Sequence, residues 1–117
     1  MSKWEISVPG KRPPRPGEGH WSRVHKSKKL WTDYLTWIMR QRKIPACNPG
    51  EKRRITITFF RPGPVSDKDN AHSACKVPLD ALTRCGLIED DSPRHIELEA
   101  YTVSASPSRT VVLIERI

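Results

Sequence analysis

Between Arg53 and Phe60 the chain alternates Ile55, Ile57 and Phe59 with Thr56, Thr58 and Phe60, and Arg61-Pro62-Gly63-Pro64 then stops the run. β-branched and aromatic residues at a period of two suit a pleated surface, so the segment reads as the central strand of a sheet. Other segments must supply its neighbours. Trp4, Ile6 and Val8 alternate with Glu5 and Ser7 in a first strand, and residues 96–104 and 110–117 alternate as well. The short Ala105-Ser106-Pro107-Ser108 link between the last two suggests a hairpin.

The helical signal is different. In residues 27–43, Leu30, Trp31, Tyr34, Leu35, Ile38 and Met39 recur at spacings of one, three and four, one apolar face of a helix with Ser27 as its N-cap. Residues 71–85 carry Leu79 and Leu82 at helical spacing with Gly86 as the stop, although Pro78 predicts a kink or a restart there. Residues 9–28 are rich in proline, glycine and cations and read as a basic loop. The layout is strand, loop, helix, strand, acidic turn, helix, acidic turn, strand, strand. This is an α+β fold, a small mixed sheet with helices packed on it.

A length of 117 residues fits one domain, residues 1–117, able to fold without disulfides. Cys47, Cys75 and Cys85 are an odd number with no paired spacing, which implies reduced thiols. The start has no apolar signal core and no 18-residue apolar run exists, so the expected compartment is the cytoplasm, with no membrane partner.

Charge divides the chain. Residues 1–55 hold 14 of the 21 Lys and Arg and 4 of the 13 acids, a balance of +10, against −2 in the remainder. A basic front half attracts a polyanion. The acidic back half concentrates Asp67-Lys68-Asp69-Asn70, then Lys76, then Asp90-Asp91. Asp67 and Asp69 are two residues apart and in extended chain point the same way. A helix folding back on the sheet would return Asp90 and Asp91 to them. Carboxylates with open positions suit Mg²⁺, which activates water and offsets charge on a phosphate, and Lys76 adds positive charge for the transition state. The competing reading makes these acids helix caps and turn residues only. An EF-hand is excluded, since counting from Asp67 puts His72 at the glycine position and Pro78 at the bidentate glutamate.

Asp67-Lys68-Asp69-Asn70, Lys76, Asp80-Ala81-Leu82, Gly86 and Asp90-Asp91, in that order over residues 55–117, resemble the RusA family of Holliday junction resolvases. The resemblance implies an α+β homodimer that cuts symmetric strands of four-way junction DNA in a Mg²⁺-dependent reaction, with Mn²⁺ as a substitute. It implies Asp67, Asp69 and Asp91 as metal carboxylates, Lys76 as the essential lysine and Asp90 as a further acidic ligand. Lys76 lies further from Asp69 than in the family pattern. Lys11, Arg12, Arg15, Lys26, Lys28, Lys29, Arg61 and Lys68 are expected to bind the DNA backbone. Alternatives are a non-catalytic nucleic-acid-binding protein, or a metal nuclease of the PD-(D/E)-x-K type, for which Glu97-Leu98-Glu99 lacks the following lysine.

Among the aromatics, Trp31 belongs to the helix core stripe and Trp37 lies off it, available for a dimer or DNA contact. Phe60 beside Arg61 is placed to open a junction. His20, His25, His72 and His95 have no zinc-like arrangement with the cysteines, and Cys75 and Cys85 read as packing residues.

Overall fold

The computed structural model describes residues 2–15, 17, 21–65 and 71–117. Their order is β1 (Lys3–Pro9), α1 (Trp21–Arg42), β2 (Arg53–Arg61), a 3₁₀ turn (Ala71–Cys75), α2 (Lys76–Cys85), β3 (Ile96–Ser104) and β4 (Arg109–Arg116). The four strands form one sheet in the order β1-β4-β2-β3. The result is an α+β domain, a four-stranded mixed sheet with two helices packed on it.

β2 is an inner strand, as its alternation predicts. It runs parallel to β3, with Ile57 opposite Ala100, and antiparallel to β4, with Ile57 opposite Val112. β4 also pairs antiparallel with β1, setting Ile6 against Val112. The expected hairpin of the last two strands does not form, because β2 lies between them. The link over residues 105–108 therefore crosses the end of β2, where Ala105 N–H donates to the Arg61 carbonyl at 2.9 Å. A hairpin would satisfy only one side of each strand. Seating β2 between them instead satisfies both sides of the strand with the most buried positions.

The period-two pattern sorts the sheet into two faces. Ile6, Val8, Ile55, Ile57, Phe59, Val112 and Ile114 turn inward and share one core with Trp31 and Leu35 of α1 and Val77, Leu79, Ala81 and Leu82 of α2. Phe60, Thr58, Thr56 and Arg54 alternate to the opposite face, where no described element packs. Arg53 breaks the apolar pattern while fully buried. It is held because its donors are used: Nε to Glu51 Oε2 at 2.6 Å, and Nη1 to the Leu87 carbonyl at 2.9 Å, with the Trp4 ring 5.4 Å from its guanidinium carbon.

α1 begins at Trp21, six residues before the expected cap at Ser27, so the second part of the supposed basic loop is helix. Residues 21–26 carry only Val24 as a partly buried apolar contact and show no periodic stripe to read. The stripe itself is narrower than expected. Trp31 and Leu35 are buried, whereas Leu30 is 65% exposed; Trp37, expected off the stripe, is 55% exposed. Ahead of α2 a 3₁₀ turn replaces the expected first helical turns, and α2 starts at Lys76. Pro78 is then its third residue, where a backbone N–H has no partner within the helix, and nothing is lost. Gly86 caps α2 in the left-handed region at φ 87°, its N–H directed to the carbonyls of Leu82 and Thr83. Among the described residues no helix is long and apolar enough to cross a membrane.

Candidate functional site

Lys76 opens α2, directly after the 3₁₀ turn that follows the acidic segment. One turn further on is Asp80, so the two side chains share a helix face, and Lys76 Nζ stands 3.2 Å from Asp80 Oδ1. The other oxygen of that carboxylate, Oδ2, is 2.8 Å from Lys28 Nζ, which reaches across from α1. Asp80 therefore bridges two helices through two ammonium groups. The chain of charges continues, since Lys76 Nζ is also 3.5 Å from Asp91 Oδ2. Lys76 and Asp91, fifteen residues apart at the start of α2 and in the loop after it, are thus brought together.

The electrostatics follow from this arrangement. Asp80 and hydrogen bonding to it hold Lys76 above the usual lysine range, with a smaller contribution from Asp91. Burial pushes the Asp80 carboxyl up, but the hydrogen bonds and charges of Lys28 and Lys76 outweigh it and leave Asp80 below the ordinary carboxylate value. At neutral pH Lys76 and Asp80 are therefore both ionised.

Asp90 goes elsewhere. Its Oδ2 lies 4.0 Å from His95 Nδ1, and Glu89 Oε2 lies 3.8 Å from His95 Nε2, while Ser92 Oγ pairs with Nδ1 at 2.9 Å. The structure thus gives the adjacent carboxylates Asp90 and Asp91 different partners. Asp67, Asp69, Lys68 and Asn70 lie outside the described residues, and so does His20. Among the described residues no three His, Cys, Asp or Glu side chains form a group able to hold a metal ion. Asp80 was not singled out as a site residue, yet its position four residues after Lys76 is the signal that could have found it.

The basic residues divide into two sets. Lys11, Arg12 and Arg61 converge with Arg23 on a groove of about 340 Å³ at the end of β2, whose walls include Phe59, Phe60, Pro62 and Ser108. Arg23 was missed because its segment reads as loop. Lys26 lies near it, lining a second, more open depression with Ser22 and Arg23. Lys28 is turned away to Asp80 and is 18% exposed, and Lys29 pairs with Asp33 at 2.9 Å on the exposed side of α1. Arg15 is half-buried, with its neighbours Pro13 and Pro14 buried. Phe60 is half-buried too, and the Arg109 guanidinium carbon sits 4.0 Å from its ring centre, so the ring is a wall of the groove rather than a free projection.

The cysteines are all free thiols. Cys75 is buried and its thiol is pushed up to about 12 by desolvation, which removes it as a nucleophile. Compared with known proteins, the chain matches no family model and no curated protein sequence.

Proposed function

We propose that the protein is a Mg²⁺-dependent, structure-selective DNA endonuclease of the RusA kind, acting as a homodimer on four-way junctions. The observation that carries this reading is the placement of Lys76 by Asp80, with its ammonium directed to Asp91. A lysine held beside one carboxylate and directed to a second can offset the negative charge that gathers on a phosphate during metal-assisted hydrolysis.

Asp91 fits a hard cation, since it is part-exposed and already draws an ammonium to 3.5 Å. With Asp67 and Asp69 it would make the all-oxygen set that Mg²⁺ favours. The ion, when bound, supplies activation of water and neutralisation of phosphate charge. Lys76 holds a positive charge for the phosphate as negative charge gathers on it, and Asp80 fixes the lysine's direction. Lys11, Arg12, Arg23 and Arg61 hold the backbone without reading bases. A four-way junction has two-fold symmetry, which a C2 dimer can match with one site per strand.

The test is cleavage of a synthetic four-way junction in Mg²⁺, Ca²⁺ and EDTA. Paired symmetric nicks in Mg²⁺, binding without turnover in Ca²⁺, and loss of cutting by Asp69→Asn with the fold intact are expected. Equal cutting of linear duplex would favour a nuclease of another type. A second reading has one observation in its favour. Asp80 is satisfied by two lysines, as in a structural ion-pair network, and a non-catalytic nucleic-acid-binding protein would bind the junction in every condition and cut it in none.

A further inference from the structure

The sheet has a face that no described element covers, and its side chains are graded along the strands. In register across β4, β2 and β3, the first row is Arg109, Phe60 and Val103, and the second is Val111, Thr58 and Tyr101. The last row is Glu115, Arg54 and Glu97, with Arg54 Nε 3.2 Å from Glu97 Oε2. One end of the face is apolar and aromatic, and the other carries an ion pair. Tyr101 and Val103 are 49% and 40% exposed.

The aromatic end is the end that meets the basic groove, because Phe60 belongs to both. We infer that this open face is a stacking platform for an unpaired, single-stranded nucleotide segment, with its phosphates in the groove and its bases on Phe60 and Tyr101. The inference rests on the reading of the protein as a binder of nucleic acid and specifies which form it holds there.

Three features argue for this occupant. First, cations alone would suffice for a duplex backbone, whereas a duplex keeps its base faces stacked and has nothing to offer the exposed Tyr101 ring or the half-buried Phe60 beside it. Second, the rings are set in advance. Arg109 lies over Phe60 at 4.0 Å and is itself tied to the Pro107 carbonyl at 3.1 Å, and the Tyr101 hydroxyl donates to Glu99 Oε2 at 2.9 Å. Third, the two rings sit on adjacent strands, offset by two residues, which places them roughly 8 Å apart. That is a step an unstacked strand can make between neighbouring nucleotides. A second copy of the chain is a poorer occupant, since a two-fold pairing at the apolar end would set Arg109 and Arg61 against their own counterparts.

The experiment compares three labelled ligands of equal length by fluorescence anisotropy in EDTA: oligothymidine, the same backbone with abasic sites, and duplex DNA. The wild-type protein is expected to bind oligothymidine about tenfold more tightly than the abasic strand, in line with stacking energies per base. Tyr101→Ser, at an exposed position outside the groove, should move that ratio towards one while leaving abasic binding unchanged, and Phe60→Leu should move the ratio the same way. Circular dichroism melting checks that both are folded. Equal affinity for the abasic strand overturns the inference, as does tighter binding of duplex. A wild-type ratio that the variants do not move overturns it too, and so does Tyr101→Ser altering only the mass in light scattering. Because no metal is present, absence of junction cleavage leaves this result standing, and junction cleavage without base dependence sinks this inference alone.

Discussion

Asp80 has the most concentrated role of any single side chain described. A carboxylate one-fifth exposed would ordinarily resist ionisation, and two lysines reverse that. Replacing it by asparagine leaves Lys28 without its carboxylate and Lys76 with Asp91 alone, at a cost of about 2 kcal/mol at neutral pH. The pH dependence has a definite sign. A carboxyl held below its unfolded value of 3.8 contributes stability in full above that pH and loses it as pH falls through the lowered value. Lys76, raised above 10.5, contributes fully below that pH and loses its share only as pH rises through the raised value. Thermal melts of wild type and Asp80→Asn should therefore differ most near neutral pH, and the gap should close below pH 3.8. A gap that stays constant down to pH 2 would mean that the bridge carries no charge-dependent stability.

At the level of elements, strands were the most legible. β1 and β2 have one solvent-facing or half-exposed residue between each pair of buried ones, and the alternation marks both. α1 was legible only where its apolar stripe exists, because cations before Ser27 carry no period. The partnership of β3 and β4 was not legible at all. A four-residue link is the local sign of a hairpin, and the strand that separates them lies more than thirty residues upstream. The site was legible to the same extent: Lys76 and Asp80 share a helix in sequence, but Lys28 meets Asp80 only through the packing of α1 on α2. The end of α2 yields a direct test. A Cβ at Gly86 would meet only the Ala46 Cβ at 3.8 Å, an ordinary contact, so the cost of Gly86→Ala is conformational. It should be about 1 kcal/mol for a residue held at positive φ, measured as a lower urea midpoint with an unchanged slope. A loss of 3 kcal/mol or more would mean a packing defect instead.

For the whole molecule, charge and fold are aligned. The cations that the front half contributes, Lys11, Arg12 and Arg23, meet Arg61 from the middle of the chain at one end of the sheet. Affinity for duplex or junction DNA should fall steeply with salt, and each of Lys11→Gln and Arg23→Gln should lower the slope of log K against log salt by about one. An unchanged slope would remove that residue from the phosphate contacts.

The interleaving of β2 between β3 and β4 has a consequence for how the chain is made. β2 leaves the ribosome well before either of its neighbours, and β1 has no described partner except β4. The centre of the sheet is consequently the last part to close, and a chain halted before residue 109 would leave β1 without its partner and one edge of β2 open. Such a nascent chain is the form most exposed to aggregation and to chaperone capture.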